Sequence, residues 1–309
     1  MTELGEGVAV PVSKKAKDGK LLVKVLDACT NDPVEGADVT VGSDKKTSNS
    51  SGEASFDKLP VGTLPTKVVK HFKDADYSTF LVHYPRVMRS HKAKSTVLDS
   101  PSIKEGIETK TDILLEVYKV LDEIVFHRRH IDIGGSDKYG HWWSVFAPNM
   151  SFGWWPKYPV GHHLNRRSTP PVEPAPLSNN AGWREKASHM FATASYKTAL
   201  AIFEAKEGGV GQTLRGVDGE LNGVTAFGGI ARPGMYVDPH AGGGDSGNEQ
   251  YSPVIKECTD IMSIRTSAEA FSTSYSGDWS WRFEAGNHCH TFQKALMRHL
   301  HFDKYKVIK

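Results

Sequence analysis

No block of five like charges occurs anywhere in the 309 residues, and 38 basic side chains are nearly cancelled by 36 acidic ones. A chain without a basic stripe is not built to neutralise a phosphate backbone or hold an anionic membrane surface. Neither a nucleic-acid partner nor a polybasic anchor is therefore expected. Long apolar runs are missing too, so no integral membrane segment is expected. The lysine-bearing start, Met1 to Ala16, lacks the apolar core of a secretory signal. The expectation is a soluble product, cytoplasmic at synthesis. Cysteine is scarce: Cys29, Cys258 and Cys289 form neither an even framework nor a C-x-x-C pair. This argues against a disulfide scaffold and a cysteine-rich zinc site, and for a reducing compartment. No H-E-x-x-H spacing is present, and the glycines from Gly208 to Gly211 are not followed by G-K-[ST], so they are not a phosphate loop.

What is present is unevenly distributed. Fourteen histidines and seven tryptophans are many for this length, and they concentrate after residue 126, which places the chemistry in the C-terminal part. The length suits two ordinary domains. Residues 1–18 read as a flexible polar leader. Short branched strands then recur at Leu21–Leu26, Ala37–Val41, Glu53–Phe56, Thr66–Phe72 and Asp112–Tyr118, with turn residues at Asn31-Asp32-Pro33, Ser51-Gly52 and Pro60-Val61-Gly62. That spacing predicts an antiparallel β-sandwich over 19–120. Tyr77–Arg89 mixes apolar and basic residues, and Lys92–Gly106 reads as an irregular excursion within the sandwich.

Composition shifts near Val120, and an α+β domain is expected over 121–309. His141-Trp142-Trp143-Ser144-Val145-Phe146 and Ser151-Phe152-Gly153-Trp154-Trp155 form an aromatic hairpin through Pro148-Asn149. A proline-rich loop spans 156–183. A helix over Ala187–Lys206 is expected to bury Met190, Phe191, Ala194, Leu200 and Phe203. A second, over Pro253–Tyr275, makes Cys258 a core residue.

The chain's chemistry centres on Gly286-Asn287-His288-Cys289-His290. Phe292, Leu296, Met297 and Leu300 after it share one helical face, so Cys289 stands at a helix N-terminus. Free amides and the positive end of the helix dipole lower a thiol's pKa there. A thiolate nucleophile also needs a base, which sequence distance does not prevent. His141, at the start of an aromatic strand, is one candidate among fourteen.

Two resemblances sharpen this. The run GKLLVKVLDACTNDPVEGADVTVG with SGEASFDKLPVG, within Gly19–Gly62, resembles transthyretin-like and carboxypeptidase-regulatory-like sandwiches, which implies a docking module without catalytic residues. G-H-W-W-S-V on a strand and N-H-C-H-T-F-Q-K-A-L opening a helix resemble the circularly permuted papain-like enzymes, the lecithin:retinol acyltransferase-like lineage, in which the histidine precedes the cysteine. The resemblance implies Cys289 as nucleophile and His141 as base. The third, orienting residue should follow on the strand, where Ser151 is the nearest polar candidate. His288 is inserted before the cysteine relative to that pattern. The implied activity is a cysteine hydrolase cleaving an amide or ester through an acyl-enzyme without a cofactor. A cell-wall peptide is the first substrate to test. An exported antibacterial effector, with a secretion apparatus and an immunity protein as partners, is the setting such a docking module implies.

The outward members of the tryptophan pairs, Trp143 and Trp155, together with His290, are candidates for substrate binding. A second class remains: Asp238, His240 and Asp245 on one glycine-rich loop, with His162-His163, His130 and Asp132, suit a divalent metal and a metal-dependent hydrolase. A non-enzymatic, secretion-associated protein is a third.

Overall fold

The computed structural model describes residues 18–75, 91–131, 139–232, 235–245, 247, 249–256, 258–282 and 285–302. Strands and helices are segregated as in an α+β protein, and the chain divides into two compact units. The expected leader, apart from Asp18, and the Tyr77–Arg89 stretch lie outside the described residues.

The first unit is all β: β1 (Asp18–Asp27), β2 (Asp38–Val41), β3 (Asp44–Thr47), β4 (Glu53–Pro60), β5 (Gly62–Thr63), β6 (Thr66–Ala75), β7 (His91–Asp99), β8 (Ser102–Ile103) and β9 (Glu108–Leu115). Alternation along β1 turns Leu21, Val23 and Val25 inward and Lys20 and Lys24 to solvent. A β4-β1-β9 sheet and a β3-β2-β6-β7 sheet share one core, where Phe56, Val39, Val68 and Ile113 meet the β1 residues. Two sequence expectations change here. The 92–106 excursion is largely strand, β7 and β8. The unit is also not purely antiparallel, because β9 runs parallel to β1, from Lys20 against Glu108 to Asp27 against Leu115. A parallel neighbour needs a long crossover rather than a hairpin, and everything from β2 to β8 supplies it. Cys29 and Cys258 form a disulfide across 229 residues, and the segment from Lys256 to Cys258 belongs to this unit. Cys258 is thus no helical core residue, and the expectation of unpaired cysteines is corrected.

After β10 (Tyr118–Val120), the second unit contains β11 (Ile124–Ile131), β12 (Tyr139–Phe146), β13 (Met150–Pro156), β14 (Val217–Leu221), β15 (Ile230–Arg232), β16 (Met235–Val237) and β17 (Glu249–Tyr251). β18 (Val254–Lys256) leads towards Cys258, and β19 (Asp278–Trp279) closes the set. Its main sheet runs β17-β11-β12-β13-β14-β19 with antiparallel neighbours. The expected aromatic hairpin is β12–β13, with Phe146 opposite Met150 and Trp143 opposite Gly153. The helices are α1 (Trp183–Glu207), α2 (Gly209–Arg215), α3 (Val224–Phe227), α4 (Pro239–Gly242), α5 (Ile261–Ser274) and α6 (Cys289–His299). α5 starts later than expected because Asp260 caps it, accepting from the Met262 and Ser263 amides. α6 buries Phe292, Leu296 and Met297 against the sheet, as the periodicity predicts.

The proline-rich loop is tied down by Glu207, a wholly buried carboxylate at the end of α1. It accepts from the Arg167 amide and the Ser168 hydroxyl, both at 2.9 Å, and pairs with Arg215 at 2.8 Å. Burial alone would push this carboxyl up; the Arg167 and Ser168 hydrogen bonds and the Arg215 charge hold it below its ordinary value. Its contribution to stability is therefore present above the ordinary carboxylate pKa and lost as pH falls through the depressed one. Glu207→Ala leaves Arg215 and two loop donors without their acceptor, and a denaturant melt should show a loss of about 2 kcal/mol. A variant as stable as the parent would show that the loop is not anchored there.

Candidate functional site

The site is built where α6 begins beside the start of β12. His288 takes the N-cap position in an extended conformation, with φ −137° and ψ −176°, and its Nδ1 accepts from the His290 amide. Cys289 is thereby the first helical residue, its amide without an intrahelical acceptor. The inserted histidine is accommodated as a cap, while Asn287 accepts from the Tyr275 hydroxyl at 2.5 Å.

His141 lies 8 % exposed on β12. Its ring and the Cys289 side chain line the same cleft, the Cys289 sulfur lying 3.7 Å from the Gly140 carbonyl, and His141 Nε2 meets Asp238 Oδ2 at 3.0 Å. A carboxylate on Nε2 fixes that nitrogen as the donor. The ring partner is thus Asp238, in place of Ser151. Ser151 stands one step further back, its Oγ accepting from the Asp238 amide at 2.6 Å. Asp238 is wholly buried. Oδ2 also accepts from Trp155 Nε1 at 2.6 Å, and Oδ1 from the His240 amide at 3.0 Å as N-cap of α4, with Pro239 preset at the first helical position.

Gly153 makes this meeting possible. It lies opposite Trp143 on β13, and a Cβ there would collide with Asp238 Oδ2 and stand 3.0 Å from His141 Nε2. Asn222 holds that stretch of β13 from the side, its Oδ1 accepting from the Gly153 amide and its Nδ2 donating to the Ser151 carbonyl. Gly153→Ala must displace the carboxylate from the ring. Displacements of this size cost about a hundredfold in rate. The turnover of any substrate this site processes should fall accordingly, with the circular dichroism unchanged; activity within twofold of the parent would contradict the geometry.

Burial opposes charge on both partners, yet the pair is arranged to ionise. For His141, desolvation works against the cation, but the charge and hydrogen bond of Asp238 and the contact with Cys289 outweigh it and raise its pKa to about 9. Desolvation likewise pushes the Cys289 thiol up, while the field of His290 and the hydrogen bonds of His141, His288 and His290 bring it well below the ordinary thiol value. Both shifts favour the charged forms, the direction that a thiolate–imidazolium pair requires.

The remaining candidates fall as follows. Trp155 packs on His141 with the rings tilted by 33° and their centroids 3.9 Å apart, and faces a cleft of about 330 Å³. Trp143 does not line it. It is fully buried, between His127 at 5.1 Å and His240 at 5.0 Å. The expected outward position of Trp143 is corrected: alternation along β12 puts it on the side of His141, and that side is covered by His240. His290 stands in the cleft wall, but its Nε2 donates to the Gly140 carbonyl at 2.6 Å and its ring packs on Trp142. Trp154, Trp279, Trp281 and Phe227 complete an aromatic wall, and none of the described lining residues is Asp, Glu, Lys or Arg.

Among the described residues no group of three His, Cys, Asp or Glu side chains is disposed to hold a metal. Asp238 serves His141; His240 pairs through Nδ1 with Asp245 at 3.0 Å, and Asp245 is in turn bound by Arg129. His162 caps the 3₁₀ turn His163–Asn165. Asp132 and the His130 side chain lie outside the described residues. Sequence reasoning missed Asp238 as the orienting group and Gly153 altogether. The available signal was an Asp-Pro pair, a ready helix cap, in the same half of the chain as the histidine.

No family model matches the chain, and no curated protein matches it. Among solved structures, a 9R-lipoxygenase from Cyanothece PCC8801 aligns at 13% identity over 65% of this chain and 26% of that one, with a TM-score of 0.17. This chain thus spans about a quarter of that structure's length, and the likeness is too slight to bear on fold or chemistry.

Proposed function

We propose that the chain is a cysteine hydrolase of permuted papain-like type that cleaves an ester or amide through an acyl-enzyme on Cys289. The observation that carries this reading is the series Cys289–His141–Asp238, with the sulfur at a helix N-terminus and the carboxylate fully buried. In this reading the thiolate attacks the carbonyl, and the Cys289 amide at the start of α6 stabilises the oxyanion. The His141 imidazolium then protonates the leaving group. Once neutral, the same ring draws a proton from the water that releases the acyl group. Asp238 fixes the tautomer and stabilises the cation throughout.

The aromatic wall favours an uncharged, apolar group on the acyl side of the scissile bond. Cell-wall peptides, which carry charged ends, remain a proposal for the leaving side. Delivery through a secretion apparatus and control by an immunity protein rest on the resemblance alone. The Cys29–Cys258 disulfide agrees with an oxidising destination better than with a reducing one.

The test is incubation of the purified protein with uncharged aryl esters, model amides and peptidoglycan stem peptides, with and without a chelator, followed by intact-mass analysis. Turnover indifferent to the chelator, with an acyl adduct on Cys289, is expected. Chelator-sensitive turnover without an adduct favours the metal reading, and no turnover of any of the three sinks both substrate ideas.

A further inference from the structure

We infer that α1 is a self-association surface on which a second copy of this chain lies antiparallel. The helix covers only one side. His189, Thr193, Tyr196, Leu200, Phe203 and Glu207 recur at alternating spacings of four and three, and with Ala187 these are its half-buried or buried positions. His189 meets the Ala175 carbonyl of the proline-rich loop, and the Arg166 guanidinium lies over Phe203. The opposite side is mostly apolar, interrupted by Thr198, and bare among the described residues. Trp183 is 75%, Met190 62%, Phe191 68% and Ile202 64% exposed, with Ala194 and Ala201 exposed between them. A contiguous apolar stripe of this length marks an interaction site rather than scattered surface residues.

The stripe is complementary to its own reverse. Three of its four large side chains, Trp183, Met190 and Phe191, fill the N-terminal half, while the C-terminal half holds the small Ala194, Ala201 and Ala205 with Ile202. A two-fold axis through Ala194 therefore sets Trp183 over Ala205, Met190 over Thr198, Phe191 against the stem of Lys197 and Ile202 against the stem of Lys186 of the second copy, so no large apolar side chain meets another. A parallel pairing would set bulk on bulk. In a two-fold antiparallel pair the same flank meets the same flank. One flank carries exposed Lys186 near the start and exposed Glu204 near the end, so each lysine comes within reach of the second copy's carboxylate. Glu204 has only a distant partner of its own, Arg166 at 3.9 Å. A face about 37 Å long buries roughly 1,200 Å² in total, at the lower edge of specific interfaces, so a concentration-dependent dimer is expected.

Sedimentation equilibrium from low to high micromolar concentration tests this, using the parent and Cys289→Ala, since self-association is independent of the hydrolase chemistry. Both should dimerise. Ala194→Glu, at an exposed position, should weaken the dimer at least tenfold with an unchanged dichroism spectrum. Lys186→Glu or Glu204→Lys alone should weaken it severalfold, and the two together should restore it. A monomer at every concentration, or a dimer indifferent to Ala194→Glu, overturns the proposal. So does a parent protein that stays monomeric while co-sedimenting with anionic phospholipid vesicles, because a membrane would then be the occupant of the stripe.

Discussion

Cys289→Ala leaves the fold intact and reduces ester hydrolysis to background, a fall of at least about 10⁴-fold. The side chain is small and 9 % exposed, so truncating it to Ala removes a sulfur and little packing. It does remove the counter-charge of His141, whose pKa then rests on Asp238 alone and should come down from about 9. Activity should be lost at every pH, because no shift of the histidine replaces the nucleophile. Thermal unfolding within a few degrees of the parent, together with absent turnover and no acyl adduct, separates lost chemistry from lost structure. Retained turnover would assign the reaction to another group.

Asp238→Asn should cost about 10³- to 10⁴-fold in kcat/KM. Three donors converge on this carboxylate: His141 Nε2, Trp155 Nε1 and the His240 amide. An asparagine brings one acceptor oxygen and an NH₂ group, so at least one donor faces another donor in a fully buried place. The larger loss is electrostatic. The Asp238 charge and hydrogen bond are the first-ranked influences that raise His141 against burial; without them the imidazolium is the disfavoured form and the thiolate loses its partner. The basic limb of the pH–rate profile should move from about 9 towards neutrality. Ser151→Ala, one bond further from the ring, should have a much smaller effect. Equal losses in the two variants would make Ser151 the orienting residue.

Local patterning made one half of this site readable. Cys289 is visible because Phe292, Leu296 and Met297 announce a helix, and His141 because an aromatic hairpin follows it. Both signals are carried within a few residues. Asp238 is not visible in that way. It lies 97 residues beyond His141, after a short hairpin whose register no local pattern fixes, and acidic residues in glycine-rich loops are common turn formers. Gly153 is silent for a similar reason: its necessity comes from what approaches it, not from its neighbours. The Cys29–Cys258 bond and the parallel β1–β9 pair are long-range closures of the same kind. In α1 the apolar residues expected to be buried lie on two faces; the structure covers the one bearing Leu200 and Phe203 and leaves Met190, Phe191 and Ala194 bare, a choice that hydrophobic spacing alone does not make.

The rate of Cys289 alkylation by a neutral reagent, followed against pH, tests the ion pair most directly. On unreduced protein the other two cysteines are held in their disulfide, so the signal comes from Cys289. An ordinary thiol slows about tenfold for each pH unit below roughly 8.5. A thiolate held by His141 should react at a nearly constant rate from roughly pH 6 to 8, with a further step near 9 where the imidazolium gives up its proton. A single tenfold-per-unit rise through the ordinary thiol range would contradict the thiolate–imidazolium pair, and with it the catalytic account.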